Sequence, residues 1–145
     1  MLDGLFVTPA VMAITEALDG AKADGLIAII GNAKLARAFA AKREIIAIGL
    51  SARSAKKLGN TLADTSTIEA CSLAAVIGVD ITNDETWSAT LKAWSRVVRD
   101  GGALVFVDRG RAPEASRRAL CAGLTELEQR RAGRSVITSG LVTHL

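Results

Sequence analysis

The chain has 145 residues, a length that fits one domain of ordinary size. Half of the residues are hydrophobic, 23% are charged and the mean hydropathy is +0.30, which excludes a disordered or acidic-tail protein. The net charge is only +3 and aromatic residues make up 3% of the chain, so the core must be aliphatic and a base-stacking surface for nucleic acid is not expected. We predict a single domain over residues 1–145.

The first half of the chain predicts helices and strands in alternation. Thr8 and Pro9 are typical of a helix start, and apolar residues recur at helical spacing from there to Gly20. Short aliphatic runs bounded by glycine are typical of strands that are covered on both faces. The predicted elements that follow are strand 26–30, helix 34–42, strand 45–48, helix 51–58 with Ser51 as its cap, and a polar edge strand at 65–70.

The second half continues the alternation. Residues 74–80 predict a buried strand, and Asn83 predicts the start of a helix whose Trp87, Leu91, Trp94 and Val98 share one face. The remaining predicted elements are strand 103–107, a helix from Pro113 to about Arg130, and two short strands at 135–138 and 141–144. This order predicts an α/β fold with a doubly wound, mainly parallel Rossmann-like sheet and helices on both faces.

Several single residues add narrower expectations. Cys71 and Cys121 are far apart and belong to no metal-binding pattern, so we expect two reduced, buried thiols and no metal site. Met12 is expected in the core. His144, the sole histidine, is expected at the surface, so neither a Cys/His nor a Ser/His catalytic arrangement is supported and we predict no catalytic residue. The apolar runs are too short to cross a bilayer and the first residues lack the basic start of a secretory signal, which predicts a cytoplasmic protein without a membrane partner.

One segment carries a family resemblance. Residues 73–110 resemble the second half of a class I S-adenosylmethionine-dependent methyltransferase. The most specific element is RVVRDGGALVFVD at 96–108, which is similar to the family's helix, Pro-Gly-Gly turn and fifth strand, with Asp100 in the place of the proline. Residues 44–58 resemble the family's second strand and following helix, so the resemblance spans roughly residues 8–110 and implies the methyltransferase-like form of the predicted fold.

The cofactor motifs of that family are incomplete in this chain. The family's first loop is rich in glycine, whereas IAIIGNAKLARAF keeps Gly31 and continues with Asn32. Gly49 stands where the family's second strand ends in an acid that binds the cofactor ribose. Each lost charge-assisted hydrogen bond costs on the order of 1.5–3 kcal/mol. The resemblance therefore implies a remnant cofactor site at Gly31, Asn32, Gly49, Ser51, Asp80 and Ile81.

Two functions remain open from the sequence. One is a non-catalytic binding or interaction module that uses no cofactor, with the crevice collapsed, filled by side chains such as Lys34 and Leu35, or reused for another small molecule. The alternative is a small S-adenosylmethionine-dependent methyltransferase that contacts its cofactor through the side chains of Asn32, Ser51 and Asp80 and the backbone of Gly31 and Ile81. A nicotinamide-binding Rossmann protein is disfavoured because G-x-G-x-x-G is absent after the first strand.

Charged residues suggest possible contacts. Asp80 follows the fourth strand, where it is expected either to contact a ligand, as a polar group or general base, or to order Thr82 or Asn83. Asp108 and Arg109 follow the fifth strand and allow the same two alternatives, or they form a pair with each other. Seven arginines between Arg109 and Arg134, against three glutamates, form either a solvated face or a patch for an acidic partner. A nucleic-acid partner is not expected, and a homodimer is an open possibility.

Overall fold

The structure of the protein, a computed structural model, describes residues 2–56, 58–59 and 61–144, with their side chains from Pro9 onward. The described chain forms helices and strands in alternation, followed by a terminal hairpin. The helices are α1 (Leu2–Gly20), α2 (Ala33–Ala40), α3 (Ala52–Ala55), α4 (Trp87–Val97) and α5 (Ala112–Cys121), with a 3-10 turn at Ile81–Asn83. The strands are β1 (Ile27–Ile30), β2 (Ile45–Ile48), β3 (Thr61–Leu62), β4 (Leu73–Val79), β5 (Val98–Arg109), β6 (Thr125–Ala132) and β7 (Ser135–Leu141).

The strands form one seven-stranded sheet in the order β3-β2-β1-β4-β5-β7-β6. Strands β1 to β5 run parallel to one another, and β7 is antiparallel to both β5 and β6. The chain winds outward from β1 in one direction and then returns to place β4 on its other side. This reversal is a topological switch point, and it confirms the predicted doubly wound, mainly parallel sheet.

The core lies on both faces of the sheet. Helices α1 and α2 cover one face, where Ile14, Leu18 and Phe39 pack on β1 and β4. Helix α4 covers the other face with Leu91 and Trp94, and α5 adds small residues there. Because both faces are covered, the central strands are continuous aliphatic runs, as predicted.

Helix α1 differs from its prediction at both Pro9 and Met12. The helix begins at Leu2, so Pro9 lies inside it and Thr8 is not its cap. The expectation placed Pro9 in the first turn because proline lacks the N–H that a helix interior uses. Met12 is 62% exposed, contrary to the core prediction, because the buried face of the helix is formed by its neighbours Val11, Ala13 and Ile14.

The predicted strand at 65–70 is wrong. The third strand is the two-residue β3, which pairs with β2 through Ala47 and Thr61. Residues 65–70 form turns, because the Asp64 carboxylate accepts hydrogen bonds from Ser66 N and Oγ at 2.8 and 2.5 Å. Ser51 caps α3 as predicted, but the helix is shorter than 51–58, and Lys57 lies outside the described residues.

The predicted helix start at Asn83 is also wrong. Helix α4 begins at Trp87, and Asn83 closes the 3-10 turn before it. The Asp84 carboxylate instead accepts hydrogen bonds from Thr86 N and Thr90 Oγ1 at 2.8 and 2.7 Å, so it orders the first turn of α4. The predicted buried face of this helix is present in part: Leu91 and Trp94 are in the core and Trp87 is half-buried, but Val98 is the first residue of β5.

The last third of the chain contains the largest correction. The predicted helix over 113–130 ends at Cys121, and residues 125–132 form β6, which pairs with β7 as a hairpin. The two short strands predicted at 135–138 and 141–144 are one strand, β7. Strand β6 lies at the sheet edge with its polar side chains exposed, so it lacks the apolar alternation that identifies a strand in sequence.

The cysteine prediction is corrected as well. Cys71 and Cys121 are free thiols, but both are exposed rather than buried. Cys71 sits in a turn with a positive φ of 58°, and Cys121 is the last residue of α5. The turn at Cys71 and the exposed face of the last turn of α5 at Cys121 carry the thiols to the surface.

Candidate functional site

A cavity of about 340 Å³ opens at the carboxyl ends of the central strands. It lies at the switch point, where doubly wound sheets bind their ligands. Strand β7 is antiparallel, so its first residue, Ser135, reaches the same edge and pairs with Arg109. We call this space the strand-end cavity, and it is lined by Gly31, Asn32, Val79, Asp80, Val107, Asp108, Arg109 and Ser135.

Gly31 and Asn32 form the side of the cavity that follows β1. Gly31 adopts a φ of 76°, and its N–H donates to Ile48 O at 2.9 Å, so the chain turns tightly from β1 into α2. Asn32 is the N-cap of α2, where its Oδ1 accepts from Leu35 N at 2.9 Å. Both predicted residues therefore lie at the site.

Asp80 forms the side of the cavity that follows β4. It is exposed and holds a left-handed backbone with a φ of 57°, while its N–H donates to Val107 O at 2.9 Å. Within the described part of the chain, its carboxylate makes no hydrogen bond. Of the two contacts expected if Asp80 orders the following loop, the one to Asn83 is present, because Asn83 N donates to Asp80 O at 3.1 Å, whereas Thr82 is bound by Asp108 instead.

Asp108 is a buried carboxyl group at the base of the site. It is 1% exposed, and its Oδ1 accepts from Thr82 N at 2.9 Å and from Thr82 Oγ1 at 3.0 Å. Its Oδ2 has no hydrogen-bond partner among the described residues. Burial raises the pKa of Asp108, and the neighbouring charge of Asp80 raises it further, while the hydrogen bonds from Thr82 lower it.

Ser135 is a second buried polar residue of the cavity. It is 0% exposed, and its Oγ also lacks a hydrogen-bond partner in the described chain. Buried hydroxyls and carboxylates are almost always hydrogen-bonded in proteins. The sequence analysis missed Ser135, because it could not place the start of a seventh strand beside the fifth.

Two arginines fix the segment that follows Asp80. Arg111 Nη1 donates to Thr82 O and to Asn83 Oδ1, both at 3.0 Å. Arg118 Nη1 donates to Ile81 O at 2.5 Å and to Asp84 O at 3.1 Å. Both arginines belong to the predicted basic patch, but sequence gave no sign of this structural role.

The other three predicted site residues do not line the strand-end cavity. Gly49 follows β2 with a φ of 71°, and its N–H donates to Leu62 O at 3.0 Å. The Oγ of Ser51 accepts from Ser54 N at 3.3 Å as the cap of α3. Ile81 is 1% exposed and its side chain belongs to the core. The structure thus brings Gly31, Asn32 and Asp80 together and leaves these three outside.

The two side chains expected to fill the crevice do not line it either. Leu35 is 1% exposed and packs in the core between the sheet and α1. Lys34 is exposed and is not among the residues that line the cavity. The space at the strand ends is therefore open.

The arginines of the predicted basic patch are distributed over β5, α5 and its N-cap, β6 and the turn that follows β6. Arg117 on α5 forms an ion pair with Glu114, and this hydrogen bond lowers the pKa of Glu114 to about 2. The Arg117 and Arg118 guanidinium carbons lie 5.6 and 5.2 Å from the centroid of the half-buried Trp87 ring. Arg130 on β6 instead contacts Glu16 of α1 and Glu128.

The residues at the end of β2 do not fit the ribose of the cofactor that the resemblance implies. Gly49 has no carboxylate to accept hydrogen bonds from ribose hydroxyls. A Cβ built there would lie 3.9 Å from Ala63 O, so there is room for a side chain at this position.

No group of three His, Cys, Asp or Glu side chains in the described chain is arranged to hold a metal ion. None of the described helices has the length and apolar content needed to cross a membrane.

Comparison with known proteins gives matches in structure only. No family profile and no curated protein matches the sequence. A chain of the complex between the Haloferax volcanii Trm112 methyltransferase activator and the putative methyltransferase superposes with a TM-score of 0.68 at 13% identity, covering 82% of this chain and 83% of that one.

Two further solved structures agree with that match. The S-adenosylmethionine-dependent methyltransferase from Thermotoga maritima, a possible histamine N-methyltransferase, has a TM-score of 0.66 at 16% identity, with 83% of both chains covered. The T. thermophilus 16S rRNA N2 G1207 methyltransferase, solved with AdoMet and guanosine, has a TM-score of 0.66 at 17% identity, with 83% of this chain and 36% of that chain covered. Together with the strand order, these likenesses show that this chain has the class I S-adenosylmethionine-dependent methyltransferase fold.

Proposed function

We propose that the chain is a methyltransferase-fold protein with an eroded cofactor site, which serves as a non-catalytic binding module for a small ligand. Gly49 is the observation that carries the proposal. It stands at the end of β2 without a side chain, and the strand-end cavity is lined from β1, β4, β5 and β7, with no contribution from β2. The half of the crevice that would hold a ribose therefore lacks its acceptor.

The missing acceptor has a large energetic effect. A carboxylate accepting from both ribose hydroxyls makes two charge-assisted hydrogen bonds, each worth about 1.5–3 kcal/mol. Losing both weakens binding by about 3–6 kcal/mol, which corresponds to roughly two to four powers of ten in affinity. A cofactor bound this weakly would not support catalysis at ordinary cellular concentrations.

The binding part of the proposal rests on the cavity that remains. Its volume of about 340 Å³ falls within the range of small-molecule sites, roughly 300–1,000 Å³. It combines the apolar side chains of Val79 and Val107 with the polar groups of Asp80 and Asp108. Such a mixture of an apolar surface and a few convergent polar groups is typical of ligand sites.

A titration of the folded protein tests the proposal. S-adenosylmethionine and S-adenosylhomocysteine at about 1 mM should leave the thermal midpoint of the wild type unchanged, since a ligand stabilises by RT ln(1 + [L]/Kd). Gly49→Asp restores the acid at a position with room for it, and should gain a measurable shift. Gly49→Asn is the matched control, because aspartate and asparagine tolerate the positive φ of 71° similarly and only one is charged. A clear shift of the wild type with either compound contradicts the proposal.

A second function has one observation in its favour. The Asp80 carboxylate is exposed at the cavity, and no hydrogen bond from the described chain occupies it, as would suit a general base or a polar contact to a methyl acceptor. This favours the alternative, a small S-adenosylmethionine-dependent methyltransferase. Transfer of labelled methyl groups from S-adenosylmethionine to lysate components by the wild type, lost in Asp80→Asn, would establish that alternative.

A protein partner is part of the proposed function. One structure of the same fold is a complex of a putative methyltransferase with an activator protein, which supports a partner for this chain. The partner is either a second copy of the chain or another protein that meets the arginines of α5 and β6. Sedimentation velocity distinguishes the two, because a homodimer has twice the 15.1 kDa mass of one chain.

Exposed free thiols at Cys71 and Cys121 support a reducing location such as the cytoplasm.

A further inference from the structure

Strand β6 is an open edge of the sheet. It pairs with β7 on one side, and no strand of the described chain lies on its other side. Its register with β7 is regular from Glu128 to Ala132, and Glu128, Gln129 and Arg131 are exposed. The outward N–H and C=O groups of this stretch form no backbone hydrogen bond with any described residue. Such a row of unpaired groups is a template for a further strand.

The charges of β6 allow the strand to complement itself. Glu128 and Arg130 share one face of the strand, and Glu128 Oε2 lies 2.9 Å from Arg130 Nη2. Arg130 Nε also lies 3.4 Å from Glu16 Oε2, so this is the face that α1 covers. In an antiparallel pair of two β6 strands, the acidic part of each strand lies opposite the basic part of the other.

One register of that pair satisfies these charges. A two-fold axis perpendicular to the sheet keeps equal faces on the same side, and it passes through one residue that lies opposite its own copy. With Gln129 at the axis, each Glu128 lies opposite the second copy's Arg130, and the four charges alternate in sign. With Glu128 or Arg130 at the axis, two like charges lie directly opposite each other. The charges thus favour a single pairing and oppose its neighbours.

Exposed apolar side chains border the same edge on both faces of the sheet. Met12 and Leu120 are the exposed large hydrophobic residues of the described chain, at 62% and 63%. Met12 lies one turn before Glu16, on the side of α1 that is turned towards β6. Leu120 lies two turns after Ala112 of α5, whose carbonyl oxygen accepts from Gln129 Nε2 at 2.7 Å. Two exposed apolar residues that flank one open strand indicate an interface there.

We propose that β6 is a self-association edge, to which a second copy of this chain adds its own β6 in antiparallel orientation, forming one continuous sheet. This inference rests on the partner in the proposed function and commits that partner to a second copy. Gln129 lies on the two-fold axis between two pairs of Glu128 with Arg130. Helices α1 and α5, which contact β6 from opposite faces, each come to lie beside their own copy and cover Met12 and Leu120. No residue of β6 lines the strand-end cavity, so dimerisation leaves the cavity open.

Charge reversal on the whole chain tests this pairing. Sedimentation velocity at loading concentrations of about 10–200 μM should show a wild-type dimer that dissociates on dilution. Glu128→Arg and Arg130→Glu each place like charges opposite one another in a homodimer, so each should raise the dissociation constant at least about tenfold. An equimolar mixture of the two variants restores opposite charges at both positions and should dimerise as the wild type does. Circular dichroism checks that each variant is folded.

A matched pair of variants controls for net charge. Glu85→Arg and Arg37→Glu make the same two charge changes at exposed positions outside β6. Each of them alone should dimerise with the affinity of the wild type, because neither changes a residue of the proposed edge.

A cysteine cross-link measures the register independently of these charges. The exposed thiols are first removed as Cys71→Ser and Cys121→Ser. Gln129→Cys in this background should form an intermolecular disulfide on mild oxidation, because the residue lies opposite its own copy. Arg131→Cys, on the same face of β6, should not, because its two copies are four residues apart along the strand, or about 13 Å.

Three results would overturn the inference. A wild type that stays monomeric over this concentration range would show that β6 does not pair. Single charge-reversal variants that dimerise as well as the wild type, or a mixture of them that stays monomeric, would place association on another surface or nowhere. Cross-linking of Arg131→Cys as fast as that of Gln129→Cys would show that the register is wrong. No cofactor enters these measurements, so their failure is distinguishable from failure of the cofactor titration in the proposed function.

Discussion

Gly78 is the position where the structure makes its sharpest prediction about stability. This residue lies in β4, two residues before Asp80, and pairs with Phe106 of β5. The indole of Trp94, from α4, packs directly on its backbone, and its centroid lies 6.3 Å from that of Phe106. A Cβ at position 78 would overlap three ring carbons of Trp94, the most distant of them at 2.8 Å, whereas carbon atoms pack at about 3.5–4.0 Å.

The expected effect of Gly78→Ala follows from that overlap. Trp94 is 7% exposed and enclosed by the core, so it cannot move aside without cost. Overpacking of this kind costs about 1–3 kcal/mol, offset in part by the lower entropy of alanine in the unfolded chain. With a urea dependence of about 2 kcal/mol/M, the midpoint should fall by about 0.5–1.5 M. Gly20→Ala is the control, because nothing lies within 4 Å of a Cβ there, and its midpoint should be unchanged or higher.

A double-mutant cycle identifies the cause. If the methyl group of Gly78→Ala collides with the indole, the same change should cost less in a Trp94→Leu background, with a coupling energy of about 1–2 kcal/mol. Urea unfolding followed by circular dichroism measures all four proteins. Equal stability of Gly78→Ala and the wild type at unchanged slope, or additive effects of the two substitutions, would refute the reasoning.

Two further predictions concern the support of the strand-end cavity. Arg118→Met keeps the apolar stem of the side chain and removes the donor to Ile81 O and Asp84 O. The free energy of unfolding should therefore fall by about 1–3 kcal/mol, and hydrogen exchange of the amides of residues 81–84 should accelerate. Arg117→Met, at a more exposed side chain, is the control and should change neither quantity. Burial raises the folded-state pKa of Asp108 above its value in the unfolded chain, so the stability linked to its proton is complete at low pH and is lost as pH rises through the folded value. The free energy of unfolding of Asp108→Asn, measured with urea, should therefore rise relative to that of the wild type as the pH increases above the ordinary range of an aspartate, about pH 4. A difference that is constant with pH would contradict this.

The sequence predicted the central strands well because their environment is simple. Strands β1, β2 and β4 and the 103–107 part of β5 are covered on both faces, so their residues are almost all aliphatic and stand out between glycines, whereas the first residues of β5, which are exposed, were not predicted as strand. The turn at Gly31 and the cap at Asn32 were also accessible, because they depend on residues close in sequence. The same holds for the face of α4 that carries Leu91 and Trp94.

The elements that sequence missed depend on contacts between distant residues. Strand β6 has exposed glutamate and arginine side chains, which favour a helix equally well, and only its pairing with β7 makes it a strand. Asp108 accepts a hydrogen bond from Thr82, which lies 26 residues earlier in the chain. Ser135 reaches the cavity only because β7 lies beside β5 in the sheet. No local pattern records these distances, so the polar base of the site could not be predicted.

Two residues near the cavity show how the fold accommodates a left-handed backbone. Asp80 and Arg111 adopt φ of 57° and 55°, a conformation that aspartate visits routinely but that costs an arginine roughly 1–2 kcal/mol. Glycine meets the same need at Gly31 and Gly110, so the strain at Arg111 must be offset by its side chain. For Arg111 the compensation is visible, because its guanidinium holds Thr82 and Asn83. Asp80 needs no such side-chain contact, because aspartate tolerates this conformation and its main chain is held on both sides: its N–H donates to Val107 O at 2.9 Å and its carbonyl accepts from Asn83 N at 3.1 Å.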